Sequence, residues 1–115
     1  HTCGYVLRHE TEPVCYLAGD TIWYCGVRRN IDRWSPQVII VNAGGNKFHL
    51  GGHVIMHIPD VLKAMDYAPA ATFVATHLEG VNHNQVTRVA LREEVMKCSK
   101  ADRIHIPEDG EIVEM

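Results

Sequence analysis

No stretch of the 115-residue sequence approaches the roughly 20 consecutive apolar residues that a membrane-spanning helix requires. No charged start followed by an apolar core opens the chain, so no secretion signal is read. Basic residues are sparse: the net charge is −3 with histidines neutral, and Arg28-Arg29 is the densest cluster. That leaves no electrostatic footprint for nucleic acid or for an anionic membrane. None of the four cysteines stands in a Cys-x-x-Cys pair, which argues against a four-cysteine zinc site. Cys3, Cys15, Cys25 and Cys98 are therefore read as free thiols in a reducing cytoplasm. Gly-x-Gly-x-x-Gly and Gly-Lys-Ser/Thr are also missing, which weakens a nucleotide-binding reading with residues 42–45 as a phosphate loop.

What is present is an ordinary globular composition, 46% apolar and 22% charged, at a length suited to one domain. Eight histidines are the unusual feature, and they make a metal site worth seeking. The chain opens on His1 rather than methionine and enters Gly4-Tyr5-Val6-Leu7 at once. Residues upstream are expected on that ground.

Residues 5–8 and 13–17 read as two short strands joined by a polar turn. Val27, Ile31 and Trp34 fall at helical spacing, with Asp20 or Thr21 as the expected cap and Ser35-Pro36 as the stop. The β-branched run over 37–41 predicts a strand buried on both faces. A glycine-rich loop follows at 42–46, and residues 54–56 suggest a brief strand. Pro59 suits the first turn of a helix reaching Tyr67, and residues 71–76 form another buried strand. A helix is predicted over 84–98, with Val86, Val89, Ala90 and Val95 facing inward. Residues 103–106 and 111–113 predict a closing strand pair around a turn at 107–110. The order β-β-α-β-α-β-α-β-β is that of an α/β sheet covered by helices.

Three polar residues stand at the carboxyl ends of predicted strands: Asp20, Asn42 and His77. Ligands of open α/β sheets gather just beyond such ends. A carboxylate oxygen and an imidazole nitrogen are suitable donors to zinc, manganese or iron. Each residue also has a plainer role: Asp20 as a helix cap, His77 as a hydrogen-bonded surface or core residue, Asn42 in a tight turn. His49, His53 and His57 lie four apart, but Gly51-Gly52 and Pro59 argue against a helix there, so they read as loop residues.

The runs Tyr16-Leu17-Ala18-Gly19-Asp20-Thr21-Ile22-Trp23, Val41-Asn42-Ala43-Gly44-Gly45 and Val74-Ala75-Thr76-His77-Leu78-Glu79, with Asn82-His83 and Thr87-Arg88, resemble the second half of the metallo-β-lactamase superfamily. The nearest likeness is to its ascorbate-6-phosphate lactonase-like branch. The resemblance implies one domain, residues 1–115, forming the C-terminal half of an αββα sandwich. It implies that Asp20 bridges two metal ions, zinc or manganese, and that His77 binds the second. His1, in His1-Thr2-Cys3-Gly4, matches a first-metal histidine, and Asn42 and His83 would lie near the substrate. The family's His-x-His-x-Asp-His element is absent from these residues. The implied activity is hydrolysis of a small ester, lactone, amide or phosphoester by a metal-bound hydroxide, with Thr21 orienting Asp20. The implied partner is the N-terminal half or a second copy, since half a sandwich exposes its inner sheet face. The alternative is a truncated, non-catalytic fragment acting as an assembly or binding module.

Overall fold

The β-branched run Val38–Asn42 (β3) forms the centre of a five-stranded sheet in the computed structural model, which describes residues 2–80 and 82–115. Tyr5–Leu7 (β1) pairs antiparallel with Cys15–Leu17 (β2), as the short polar turn between them dictates. From β2 onward the pairing is parallel: β2 to β3, β3 to Thr72–Thr76 (β4), and β4 to Ile104–His105 (β5). Parallel neighbours need long crossovers. Three helices supply them: Cys25–Trp34 (α1), Ile58–Tyr67 (α2) and Arg88–Lys97 (α3).

All three helices pack on one face. Their buried residues, among them Val27, Ile31, Val61, Met65, Leu91 and Val95, cluster with Tyr16, Ile39, Val41, Phe73, Ala75 and Ile104. Tyr16, Ile39, Phe73 and Ile104 form one register row across the sheet, and Val41 faces Ala75 in another. Side chains alternate along a strand. Cys15, Leu17, Val38, Ile40, Thr72 and Val74 therefore form the opposite face and lie outside that cluster. On β3 the helix-facing Ile39 and Val41 are buried, and on the other face Val38 is buried and Ile40 partly so, in line with the expected burial on both faces. Phe73, Ile39 and Met65 are fully buried, each stabilising the fold by about 1.5–3 kcal/mol.

Five local expectations change. Helix α1 begins at Cys25, and its cap position, Tyr24, makes no side-chain cap bond, so neither Asp20 nor Thr21 caps it. Helix α3 starts at Arg88 rather than residue 84, because the amides of Gln85 and Val86 donate to the Gly44 carbonyl instead. Thr87 caps it, accepting from the Ala90 amide at 3.1 Å. Val89 faces outward, while Leu91 and Val95 are buried. Residues 54–56 form no strand; an isolated bridge joins Lys47 to His53. The closing pair is absent too: β5 adds to β4 in parallel, and residues 111–113 form no strand. No helix among the described residues is long and apolar enough to cross a membrane. The four thiols are free, as the sequence suggests.

Candidate functional site

The site forms where β2, β3 and β4 end side by side. Gly19, with φ +74°, turns the chain sharply off β2, and a Cβ there would collide with the Cys3 carbonyl. Asp20 follows, exposed and free of any capping duty. The next residues are anchored from behind: the Trp23 amide donates to the buried Asp60 carboxylate at 3.2 Å, and the Trp23 ring meets Tyr67 edge-on at 5.4 Å.

Asn42 and Thr76 are register partners at the ends of β3 and β4, so their side chains share a face. The Thr76 hydroxyl donates to Asn42 Oδ1 at 2.9 Å, and Asn42 Nδ2 donates to Asp20 Oδ1 at 2.6 Å. This chain of bonds fixes which way the Asn42 amide points and presents its N–H to a carboxylate, a charge-assisted contact. Asn42 holds one Asp20 oxygen, and among the described residues no hydrogen bond reaches the other. The orienting role expected of Thr21 is not seen, because its hydroxyl donates to the Ile22 carbonyl at 3.1 Å.

His77 comes directly after Thr76 and is exposed. Its φ of +55° is left-handed, a conformation that costs a non-glycine residue about 1–3 kcal/mol. Two neighbours hold it there. Asn84 Nδ2 donates to the His77 carbonyl at 3.1 Å and also to that of Leu78. Gly44 packs so close that a Cβ would strike the same His77 carbonyl. Beyond it, the Arg88 amide donates to Glu79 at 2.6 Å, and the Arg88 guanidinium reaches Glu79, the Pro107 carbonyl at 2.7 Å and Asp109. Burial by itself would raise the Glu79 carboxyl. The bonds from its own backbone amide and that of Arg88, with the Arg88 charge, outweigh this and hold it below the ordinary carboxylate value.

Asp20 and His77 thus share one edge of the sheet but line different hollows. Asp20 lines a groove of 590 Å³, and His77 a cleft of 210 Å³ with Glu79, Asn84, Arg88 and Asp109. His83 is exposed, and His1 lies outside the described residues. The rings of His53 and His57 stack on one another with centroids 4.1 Å apart, and the His53 Nδ1–H donates to the Gly45 carbonyl at 2.8 Å. Among the described residues no three His, Cys, Asp or Glu side chains converge as a metal site. Sequence reasoning missed Thr76 and Asn84. Aligning the two central strands by their ends would have paired Thr76 with Asn42; nothing local marks Asn84.

No protein-family model matches the chain. It is 37% identical to UPF0173 protein YddR of Bacillus subtilis, over 95% of its own length and 43% of that protein's. It superimposes on the isothiocyanate hydrolase of Delia radicum gut bacteria with a TM-score of 0.92 and 38% identity, covering 95% of this chain and 43% of that one. A possible metal-dependent hydrolase of Veillonella parvula follows at a TM-score of 0.89 and 31% identity, covering 94% and 42%. Igni18, a metallo hydrolase of Ignicoccus hospitalis, shares the fold at a TM-score of 0.72 and 21% identity, covering 96% and 44%. The chain therefore spans less than half the length of the proteins it matches. Its structural neighbours are metal-dependent hydrolases, and the fold is the expected one, the α/β C-terminal half of that architecture.

Proposed function

We propose that this chain forms the C-terminal half of a metal-dependent hydrolase in which Asp20 and His77 bind divalent metal and Asn42 orients Asp20. The observation that carries the reading is the Thr76–Asn42–Asp20 hydrogen-bond chain along the sheet edge, with His77 as the next residue. A carboxylate aimed by an amide, and kept from capping a helix, is a ligand prepared in advance. The donor chemistry fits: an oxygen and a nitrogen ligand suit zinc or manganese, two ions in the complete enzyme. The fit is partial, because these residues make up less than a full coordination set and His1, Asn82-His83 or residues elsewhere complete it. When bound, the metal lowers the pKa of water and polarises the substrate.

The chain's own residues have narrower tasks. Asp20 holds the metal position, and Asn42 keeps its carboxylate from rotating. His77 offers its ring from a strained backbone that Gly44 and Asn84 keep in place. His83 contacts substrate from the neighbouring loop. The substrate is a small electrophile, and the 38% identity to an isothiocyanate hydrolase favours an isothiocyanate over the ester, lactone or amide. Water then adds its oxygen to the central carbon of R–N=C=S, its protons pass to nitrogen, and the carbon–nitrogen bond breaks to give R–NH2 and carbonyl sulfide.

The open sheet face supports a partner. Tyr5 and Leu7, 62% and 57% exposed, extend the apolar row of Cys15, Leu17, Val38 and Ile40 across it. The N-terminal half, or another copy of the chain, covers this face. Four free thiols suit a reducing compartment, and the protein is assigned to the cytoplasm on that ground. A second reading, a non-catalytic binding or assembly module, draws on the absence of a three-ligand cluster among the described residues. Metal analysis of the full-length protein separates the two: the hydrolase holds stoichiometric metal that Asp20→Ala and His77→Ala lose. Unchanged metal content in both variants sinks the hydrolase reading.

A further inference from the structure

The groove beside Asp20 has an apolar wall. Ile22, Tyr24, Phe48 and Val54 line it together with Asp20 and two threonines, and no lysine or arginine among the described residues does. Phe48 is 67% exposed and Tyr24 50%, although both sit on anchored backbone. Asp60 ties down the Trp23 amide next to Tyr24. The loop bearing Phe48 is closed by the Val54 amide on the Asn46 carbonyl at 2.8 Å, the Gly45 amide on the Met56 carbonyl at 2.9 Å and the His53 ring on Gly45. Aromatic side chains carried on anchored backbone at the rim of a polar site suit an apolar ligand, because little backbone freedom is left to lose on binding. A phosphoester calls for arginine or lysine donors, and none among the described residues lines the groove.

We infer that this groove binds the aryl or alkyl substituent of an uncharged substrate, and that Phe48 and Tyr24 set the preference among substituents. The inference rests on the hydrolase reading and narrows its substrate class to neutral molecules, excluding the phosphoester. The test uses the full-length, metal-loaded protein with methyl and 2-phenylethyl isothiocyanate and with phenyl phosphate. The expected ratio of kcat/KM, 2-phenylethyl over methyl, is about 10-fold or more, since each methylene in an apolar pocket discriminates by roughly 10-fold or above. Phe48→Ala and Tyr24→Ala lower that ratio by about 10-fold, whereas Leu50→Ala, on the same loop but outside the groove, leaves it unchanged.

Binding supplies an independent readout. The unreactive probe N-(2-phenylethyl)thiourea is expected to bind about 10-fold more tightly than N-methylthiourea, with the difference lost in Phe48→Ala. Equal affinity for the two thioureas, or a substituent preference untouched by Phe48→Ala and Tyr24→Ala, overturns the inference. So does faster turnover of phenyl phosphate than of 2-phenylethyl isothiocyanate. If the metal-loaded wild-type protein hydrolyses neither isothiocyanate, the hydrolase reading fails, while the thiourea affinities still decide whether the groove takes an apolar substituent.

Discussion

Asp20 and His77 flank the same central strand but are held by opposite means. The Asp20 side is relaxed: a glycine turn delivers the residue, and a short relay of neutral hydrogen-bonding groups, Thr76 and Asn42, aims its carboxylate. The His77 side is strained and clamped: a left-handed backbone is kept in place by Gly44 and Asn84, and just beyond it Arg88 ties Glu79 to Asp109. The proposed roles account for the difference. In that reading a carboxylate bridging two ions needs rotational aim, which one amide supplies. An imidazole that must leave the direction of its strand needs a backbone turn, which only surrounding contacts sustain.

Substitutions on the two sides are expected to fail differently. The largest effect belongs to the ligands themselves: in the full-length protein Asp20→Ala loses more activity and metal than His77→Ala. Both losses exceed the about 10–100-fold typical of residues that merely orient a ligand. Equal losses measured by metal analysis and kcat/KM would break the bridge-versus-terminal distinction. Next comes Arg88→Ala, which removes several charge-assisted bonds from a guanidinium that is 12% exposed. A stability loss of about 2–3 kcal/mol in denaturant unfolding is expected, with Arg88→Lys losing less. Asn42→Ala reverses this profile: about 10–100-fold weaker metal binding with a smaller change in stability.

Gly44→Ala sharpens the strained side further, since the added methyl strikes the His77 carbonyl. It is expected to cost about 1–3 kcal/mol, read by thermal unfolding, and to weaken metal binding as well. The smallest effect lies at the far end of the strand that leads to Asp20. Burial pushes the Cys15 thiol above its ordinary value of 9.0. A raised thiol contributes stability that is whole below that ordinary value and fades as pH rises through the folded value. Alkylation at pH 8 is therefore expected to be slower at Cys15 than at the exposed Cys3, Cys25 and Cys98. A faster rate at Cys15 would show that the open sheet face is not sheltering it.

Much of the fold was legible because periodicity is local. Val38-Ile39-Ile40-Val41 can only be a strand, and Pro59 marks the start of α2 to within a residue. Failures cluster where non-local partners compete for backbone groups. Helix α3 starts late because Gly44, about forty residues away, takes the amides of Gln85 and Val86. Residues 111–113 make no strand, and β5 stays the edge of the sheet, paired with β4 alone among the described residues.

The site divides in the same way. Asp20, Asn42 and His77 were visible as polar residues ending strands, for strand ends are where an α/β sheet gathers its ligands. By itself the sequence determined which residues end strands and which faces are apolar, since both depend on neighbours two to four positions away. Only the tertiary structure decided that all helices share one face, that Asn42 aims Asp20, and that Gly44 and Asn84 hold His77. Each of these rests on contacts between strands and loops whose register no local pattern encodes.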